Sequence, residues 1–279
     1  MQFPKSSRPC MTAEALGALN LSVLTLAALI VAAFVAGWVD AVVGGGGLIQ
    51  LPALLIGLPS DTAPAVILGT NKISSFCGTA TSSLTYALRI PLDWLTVLPL
   101  VIASAIGSAV GASLAKLLPK EAFTPIVLAA LIGVGIYIWR RPQLGLVSIR
   151  KHAGRRHYGW TAVIGLGVGA YDGFLGPGTG SFFVILLVAV LGYGFLEASA
   201  TAKIANLVTN LSAIVVFAVN GSVLWALGLT MGAANLIGGY LGARTAISRG
   251  NSFVRKVFLI VLSGLIIKLA YDVVAQLLR

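Results

Sequence analysis

Charge is scarce in this chain: of 279 residues only 10% are Asp, Glu, Lys or Arg, and the acids number 8 against 19 bases. With 58% apolar residues and a mean hydropathy of +0.97, too few polar side chains exist to coat a soluble surface. Cysteine is limited to Cys10 in the N-terminal tail and Cys77 inside an oily run, so no disulfide is expected. The two histidines, His152 and His157, have no acid or cysteine beside them, which argues against a metal or catalytic role. There is no Walker loop, no HExxH and no CxxC pair. The few acids form no reacting constellation, so an enzyme is the least compatible class, and no catalytic residue, metal or cofactor is expected.

What the chain does have is oil in long runs. Ten apolar stretches lie between residues 19 and 275, and most approach the roughly 20 residues that a membrane helix needs. The two beside glycine clusters, 45–58 and 180–196, are shorter and read as half-spans or re-entrant elements. The expected fold is all-α: a polytopic membrane protein of about 8–10 segments in two homologous halves, broken at the glycine clusters. Residues 1–18 read as a tail, 19–140 as the first repeat, 141–158 as a basic loop and 159–279 as the second repeat. Lys5 and Arg8 before an apolar run resemble a signal peptide, but the run continues through Asp40 and reads as the first membrane helix. A net charge of +11 would suggest nucleic acid in a soluble protein. Here Arg140, Arg141, Arg150, Lys151, Arg155 and Arg156 share one connection, which predicts a cytoplasmic loop facing anionic lipid headgroups and no nucleic-acid partner.

The halves repeat one another in detail. Gly37-Trp38-Val39-Asp40 leads into Gly44-Gly45-Gly46-Gly47, and Gly169-Ala170-Tyr171-Asp172 leads into Gly176-Pro177-Gly178-Thr179-Gly180. Lys72 follows Asp40 by 32 residues, and Lys203 follows Asp172 by 31. Trp94 and Trp225 each stand 22 residues beyond the lysine, where they read as interfacial anchors. The pairs Gly107/Gly111 and Gly238/Gly242 then give each half a GxxxG face suited to close helix packing. Five crossings per half would invert the repeats, and four would leave them parallel. Putting both the basic loop and the connection carrying Arg244, Arg249, Arg255 and Lys256 on the cytoplasmic side favours inversion.

Asp40, Lys72, Asp172 and Lys203 would together cost about 10–14 kcal/mol if each faced lipid alone at mid-bilayer, so they must meet each other, bound ions or water. One reading is a pair of Asp–Lys bridges that fasten the halves. The other adds the glycines: where a helix breaks and restarts, after Gly47 and after Gly180, its first N–H groups are unpaired and attract an anion. Gly45, Gly46, Gly47, Gly178 and Gly180 would supply those backbone donors, with Asn71, Asn206, Asn210 and Ser181 adding side chains. Lys203, Asn206 and Asn210 fall three and four residues apart and share one helix face. Lysines, amides and backbone donors favour a small oxyanion, bound by Lys72 and Lys203. Asp40 and Asp172 suit a proton relay or a hold on the lysines.

The run from Ala36 to Ile49, with Leu51-Pro52-Ala53-Leu54 and Gly69-Thr70-Asn71-Lys72 beyond, resembles the TauE/SafE family of sulfite and organosulfonate exporters. Tyr171-Asp172-Gly173-Phe174 through Phe182, with Ala202-Lys203-Ile204-Ala205-Asn206, is similar to its YfcA-like branch. The resemblance implies a plasma-membrane protein that moves small sulfur-containing anions by secondary transport. It places function on Asp40, Gly44 to Gly47, Asn71 and Lys72, and on Asp172, Gly176, Gly178, Gly180, Lys203 and Asn206. A passive anion channel and a membrane scaffold with structural buried charges stay open as alternatives. Whether the chain forms a homo-oligomer stays open too.

Overall fold

The computed structural model describes residues 21–59, 61–115 and 145–277. The tail, the apolar stretch 123–139, and Lys116, Lys120, Arg140 and Arg141 lie outside the described residues. Within them the chain is all-helical: α1 (Val23–Val43), α2 (Gly47–Gly57), α3 (Pro64–Ala87), α4 (Trp94–Leu114), α5 (Gly154–Phe174), α6 (Thr179–Leu186), α7 (Phe195–Val219) and α8 (Trp225–Leu277). A π-helical turn, Leu187–Leu191, extends α6, and Gly250 (φ 70°, ψ −170°) breaks α8.

Local chemistry sets these limits. The Ser22 hydroxyl accepts from the Thr25 amide to start α1, and Gly44 (φ 82°) ends it in the left-handed conformation that glycine adopts without a Cβ clash. Pro64 opens α3, where its missing N–H is no loss. α5 starts at Gly154, so Arg155, Arg156 and His157 belong to its first turn and the basic connection is shorter than the expected 141–158.

Among the described residues α1, α4 and α7 are long and apolar enough to cross a membrane. α3 is 24 residues long but carries Thr70, Asn71, Lys72, Ser74, Thr79, Ser82 and Ser83, all buried inside the protein. Large apolar side chains such as Leu24, Val31, Ile102, Ile106, Val163 and Val215 point outward instead, as a lipid-facing surface requires.

Two apolar clusters fix the directions of the helices. One gathers Leu29 (α1), Leu54 (α2), Ile67 and Leu68 (α3), Ala112 (α4), Phe217 (α7) and Leu227 (α8). The other gathers Tyr86 (α3), Leu100 (α4), Ile164 (α5), Leu191, Phe195 (α7) and Ala243 (α8). Leu68 and Tyr86 are 18 residues apart on one helix, about 27 Å, so the clusters mark opposite ends of the molecule. Hence α1 and α3 start where their repeat partners α5 and α7 do not, and the halves are inverted. Arg89, Arg150, Lys151, Arg244 and Arg249 all fall at the end marked by Tyr86 and Phe195, here called the basic end.

The fourth helix of each half packs into the other half. Gly107 and Gly111 of α4 lie on the Leu166 and Ala170 carbonyls of α5, and Gly238 and Gly242 of α8 lie on the Phe34 and Trp38 carbonyls of α1. A side chain at any of the four would collide with backbone, so the GxxxG faces are what allow this exchange. Trp94 and Trp225 open α4 and α8 at opposite ends and are both exposed, as interfacial anchors should be.

α2 spans 11 residues, about 16 Å, half of a bilayer's apolar core. Its last residue, Gly57, packs on Leu29 near the start of α1, so α1 and α2 enter and leave at one end. α5 and α6 do the same at the basic end, where the Gly192 carbonyl beyond α6 accepts from Ile149 ahead of α5. The short apolar segments are thus return limbs that start deep in the protein.

Candidate functional site

The two turning points meet. The Ser181 amide donates to the Gly44 carbonyl (3.1 Å) and its hydroxyl to the Val43 carbonyl (2.8 Å), clasping the end of α1 to the start of α6. Around this clasp lies a cavity lined from the first half by Asp40, Gly44, Gly47, Asn71, Lys72 and Ser75. The second half contributes Asp172, Gly176, Gly178, Thr179, Gly180, Asn206 and Asn210. It leaves about 20 Å³ for the centre of a water-sized sphere, room for only one or two waters. That space is too small for a sulfur oxyanion.

Charge pairs cross between the halves. Lys72 Nζ donates to Asp172 Oδ2 at 2.6 Å, and Lys203 Nζ donates to Asp40 Oδ2 at 2.8 Å. Each lysine thus pairs with the other repeat's acid, and the four groups sum to zero. Asn210 Nδ2 donates to Thr79 Oγ1 (3.3 Å), and these residues are repeat equivalents, so the bond marks the pseudo-twofold axis beside the cavity.

Backbone donors converge as helix breaks require. α2 starts at Gly47 and α6 at Thr179, slightly earlier than the expected restarts after Gly47 and after Gly180, so the positive ends of two helix dipoles face the cavity. Tyr86 holds the first hinge by donating to the Ala41 carbonyl (3.0 Å), and Tyr171 holds the second by donating to the Pro177 carbonyl (2.6 Å). Asn71 lines the cavity, and its side-chain oxygen is buried with no hydrogen-bond partner.

Eleven of the fifteen expected residues line this cavity: Asp40, Gly44, Gly47, Asn71, Lys72, Asp172, Gly176, Gly178, Gly180, Asn206 and Asn210. Four do not. Lys203 is wholly buried behind Asp40, Ser181 is consumed by the hinge clasp, and the Gly45 carbonyl accepts the Leu48 amide within the turn. Gly46 backs the site, donating to Asp40 Oδ1 (3.4 Å) and packing against the Ala36 carbonyl. Sequence reasoning missed Ser75 and Thr179, whose only signal is a hydroxyl beside a motif residue. It also missed the buried amides Gln50 and Asn235, each a lone polar residue in an apolar run. His157 Nε2 bonds Thr96 Oγ1 (2.8 Å) near the basic end, away from the cavity, and among the described residues no cluster could hold a metal.

A polar cavity between two helix breaks, crossed by charge pairs from inverted halves, is the architecture of inverted-repeat membrane proteins. The family model for the sulfite exporter TauE/SafE matches residues 29–269, so the chain belongs to that family. It is 37% identical over 254 residues to the probable membrane transporter protein ORF9 of a Sinorhizobium species, covering 91% of this chain and 95% of that protein. It is 34% identical to the probable membrane transporter protein YfcA of Escherichia coli K12 (90% and 92% covered) and 32% identical to a probable membrane transporter protein of Haemophilus influenzae (91% and 98%). No solved structure matches the chain.

Proposed function

We propose that this chain moves a small oxyanion, sulfite or an organosulfonate, across the plasma membrane by proton-coupled secondary transport, with the basic end in the cytoplasm. The observation that carries this reading is the crosswise pairing of Lys72 with Asp172 and Lys203 with Asp40 at a cavity where two helix N-termini converge. With both pairs intact the site is neutral and has no use for an anion. A proton taken up by Asp172 cancels its hold on Lys72, and an anion entering beside Lys72 then restores neutrality, so the two species move together. Asp40, the more accessible acid, is where that proton first arrives.

Inverted halves supply the means of alternation, since tilting one return limb opens the cavity to one end while its partner keeps the other shut. The gathering of bases at one end supports a cytoplasmic orientation for that end, and the apolar outer surface supports lipid as its surroundings. Ion pairs alone would also suit a scaffold. A scaffold leaves unexplained why Asn71, Ser75, Asn206 and Asn210, from both halves, converge on one cavity.

Reconstituted in proteoliposomes, the protein should take up sulfite faster when the outer medium is acidic, acidify the lumen as it does so, and saturate. Lys72→Ala should remove both signals. Unsaturable flux indifferent to the pH gradient would mark a channel, and full sulfite flux in Lys72→Ala would end the anion-binding reading.

A further inference from the structure

Gln50 of α2 is completely buried, and its Oε1 accepts a hydrogen bond from Asn235 Nδ2 of α8 at 2.8 Å. That bond settles which end of the Gln50 amide is taken. The NH₂ end, with two donors, has no partner. Asn235 is itself buried, wedged where Gly37 of α1 and Gly78 of α3 leave space for it by lacking a Cβ. The packing therefore fixes the amide pair and leaves a strong donor idle where no bulk water reaches it.

Gln50 is not itself on the cavity wall, but it is one helical turn from a residue that is. Gln50 stands three residues after Gly47, which lines the cavity, and helical side chains lean toward the N-terminus over the preceding turn. A side chain at that position leans toward the first turn of α2, whose free amides open the helix. Lys72 and Asn71 face the cavity from α3, which packs alongside α2.

The equivalent positions at the second hinge carry no amide. Gly44 (φ 82°) and Gly176 (φ 86°) align the two hinges, which puts Phe182 in the place of Gln50, and the repeat offset puts Ser104 in the place of Asn235. Phe182 packs edge-on against Tyr171, an aromatic prop for the turn.

We infer that Gln50, oriented by Asn235, is an oxyanion ligand of the first-half hinge, donating both amide N–H groups to the anion's oxygens beside Lys72. This rests on the anion-transport reading above and deepens it by giving the two hinges different duties. The first recognises the oxyanion, and the second closes over it. Asn235 is a positioning residue, acting only through Gln50.

The test is sulfite flux in proteoliposomes containing the full chain, with KM and kcat separated, together with the thermal shift of the purified protein in added sulfite. Gln50→Leu removes one unsatisfied donor and strands another, the Asn235 amide, so the two effects offset and the ligand-free protein should melt close to wild type. Its KM for sulfite should rise at least about 10-fold with kcat falling much less, as expected when binding shared by ground and transition states is removed. The sulfite-induced thermal shift should vanish. Asn235→Ser, which installs the residue found at the equivalent position beside the second hinge, should raise KM by a smaller factor. Gln50→Met serves the same purpose as Gln50→Leu should the branched side chain fail to fold. Normal wild-type flux with unaltered KM and thermal shift in the Gln50 variants overturns the assignment alone. Absence of sulfite flux and binding in the wild-type protein overturns the anion reading and this inference with it.

Discussion

The two charge pairs descend from one duplicated motif, yet they are not copies of each other. In the Lys72–Asp172 pair both residues line the cavity and both are sealed, with 3% and 2% of their side chains exposed. In the Lys203–Asp40 pair the lysine is wholly buried while the aspartate keeps 15% of its surface and alone reaches the cavity. One pair presents its cation to a solute, and the other presents only its carboxylate. The difference teaches that a pseudo-symmetric site can divide anion binding and proton entry between equivalent positions while its net charge stays at zero.

The largest effects should come from breaking the sealed pair. Lys72→Ala strands the Asp172 carboxylate inside the protein, which costs about 3–5 kcal/mol, and should cut sulfite flux at least about 100-fold. Lys203→Ala leaves an acid that can reach water, so denaturant or thermal unfolding should show a smaller loss of about 1–3 kcal/mol. Replacing both sealed partners, as Lys72→Met with Asp172→Leu, should recover most of the stability with none of the flux. Retained flux in that double variant would show the pairs to be struts and the comparison to be empty.

The hinges offer a second contrast. Gly44 and Gly176 share the same left-handed backbone, but a Cβ on Gly44 would drive into the Gly180 backbone, whereas one on Gly176 would rest 3.5 Å from the Asp172 carbonyl and 3.6 Å from Lys72 Nζ. Gly176→Ala should then cost only the backbone strain, about 1–2 kcal/mol, and Gly44→Ala that strain plus about 1–3 kcal/mol of overpacking. Equal losses in unfolding experiments would mean that the clasp between Gly44 and Ser181 yields easily.

A third contrast separates the two acids by function. Asp172→Asn frees Lys72 permanently, so anion flux should persist but lose its acceleration by an imposed pH gradient. Asp40→Asn should leave the gradient dependence in place and slow the coupled rate several-fold, because Asp172 is then reached without its more exposed neighbour. Lumenal pH recorded alongside sulfite uptake reads both outcomes, and identical behaviour in the two variants would erase the proposed division.

Much of this was legible in the sequence because a membrane interior makes polar residues conspicuous. Asp40, Lys72, Asp172 and Lys203 stood out against oil, their repeated spacing located both halves, the glycine clusters marked the turning points and the basic connections pointed to inversion. Partnership was not legible, since a spacing of 31 or 32 residues cannot say whether a lysine answers its own acid or the other repeat's. Nor does a run of four glycines tell which faces the cavity; only the turn places Gly44 and Gly47 on the wall and Gly45 and Gly46 behind it. Lys203 looked equivalent to Lys72 until packing put Asp40 in front of it. Gln50 escaped notice because a single amide in an apolar run resembles an ordinary interhelical bond, and its idle donor exists only in three dimensions.

The smallest expected effect concerns what lies beyond each return limb. Past α6, the connection at 149–151 straps the second hinge: Ile149 and Lys151 amides donate to the Gly192 and Leu191 carbonyls, and the Lys151 ammonium to the Ala189 carbonyl (2.6 Å). Arg150 anchors the strap on Glu197 (2.8 Å), Asp93 (3.4 Å) and the face of Tyr193. The α2–α3 link shows no such strap among the described residues. Burial pushes the Asp93 carboxyl up, but the Thr96 hydroxyl, Arg150 and the first amides of α4 outweigh it and hold the group below the usual carboxylate range. With its folded value depressed, Asp93 lends its full support above the unfolded value of about 3.9, and that support fades as pH falls through the lower folded one. At neutral pH the whole anchor is half-exposed, so Arg150→Gln should cost no more than about 1 kcal/mol. Its effect should be local: amide hydrogen exchange several-fold faster at 187–195, with no change at 58–63, since the strap touches only the second hinge. Equal acceleration at both links would mean that the hinges open as one unit, and that the halves differ in their chemistry alone.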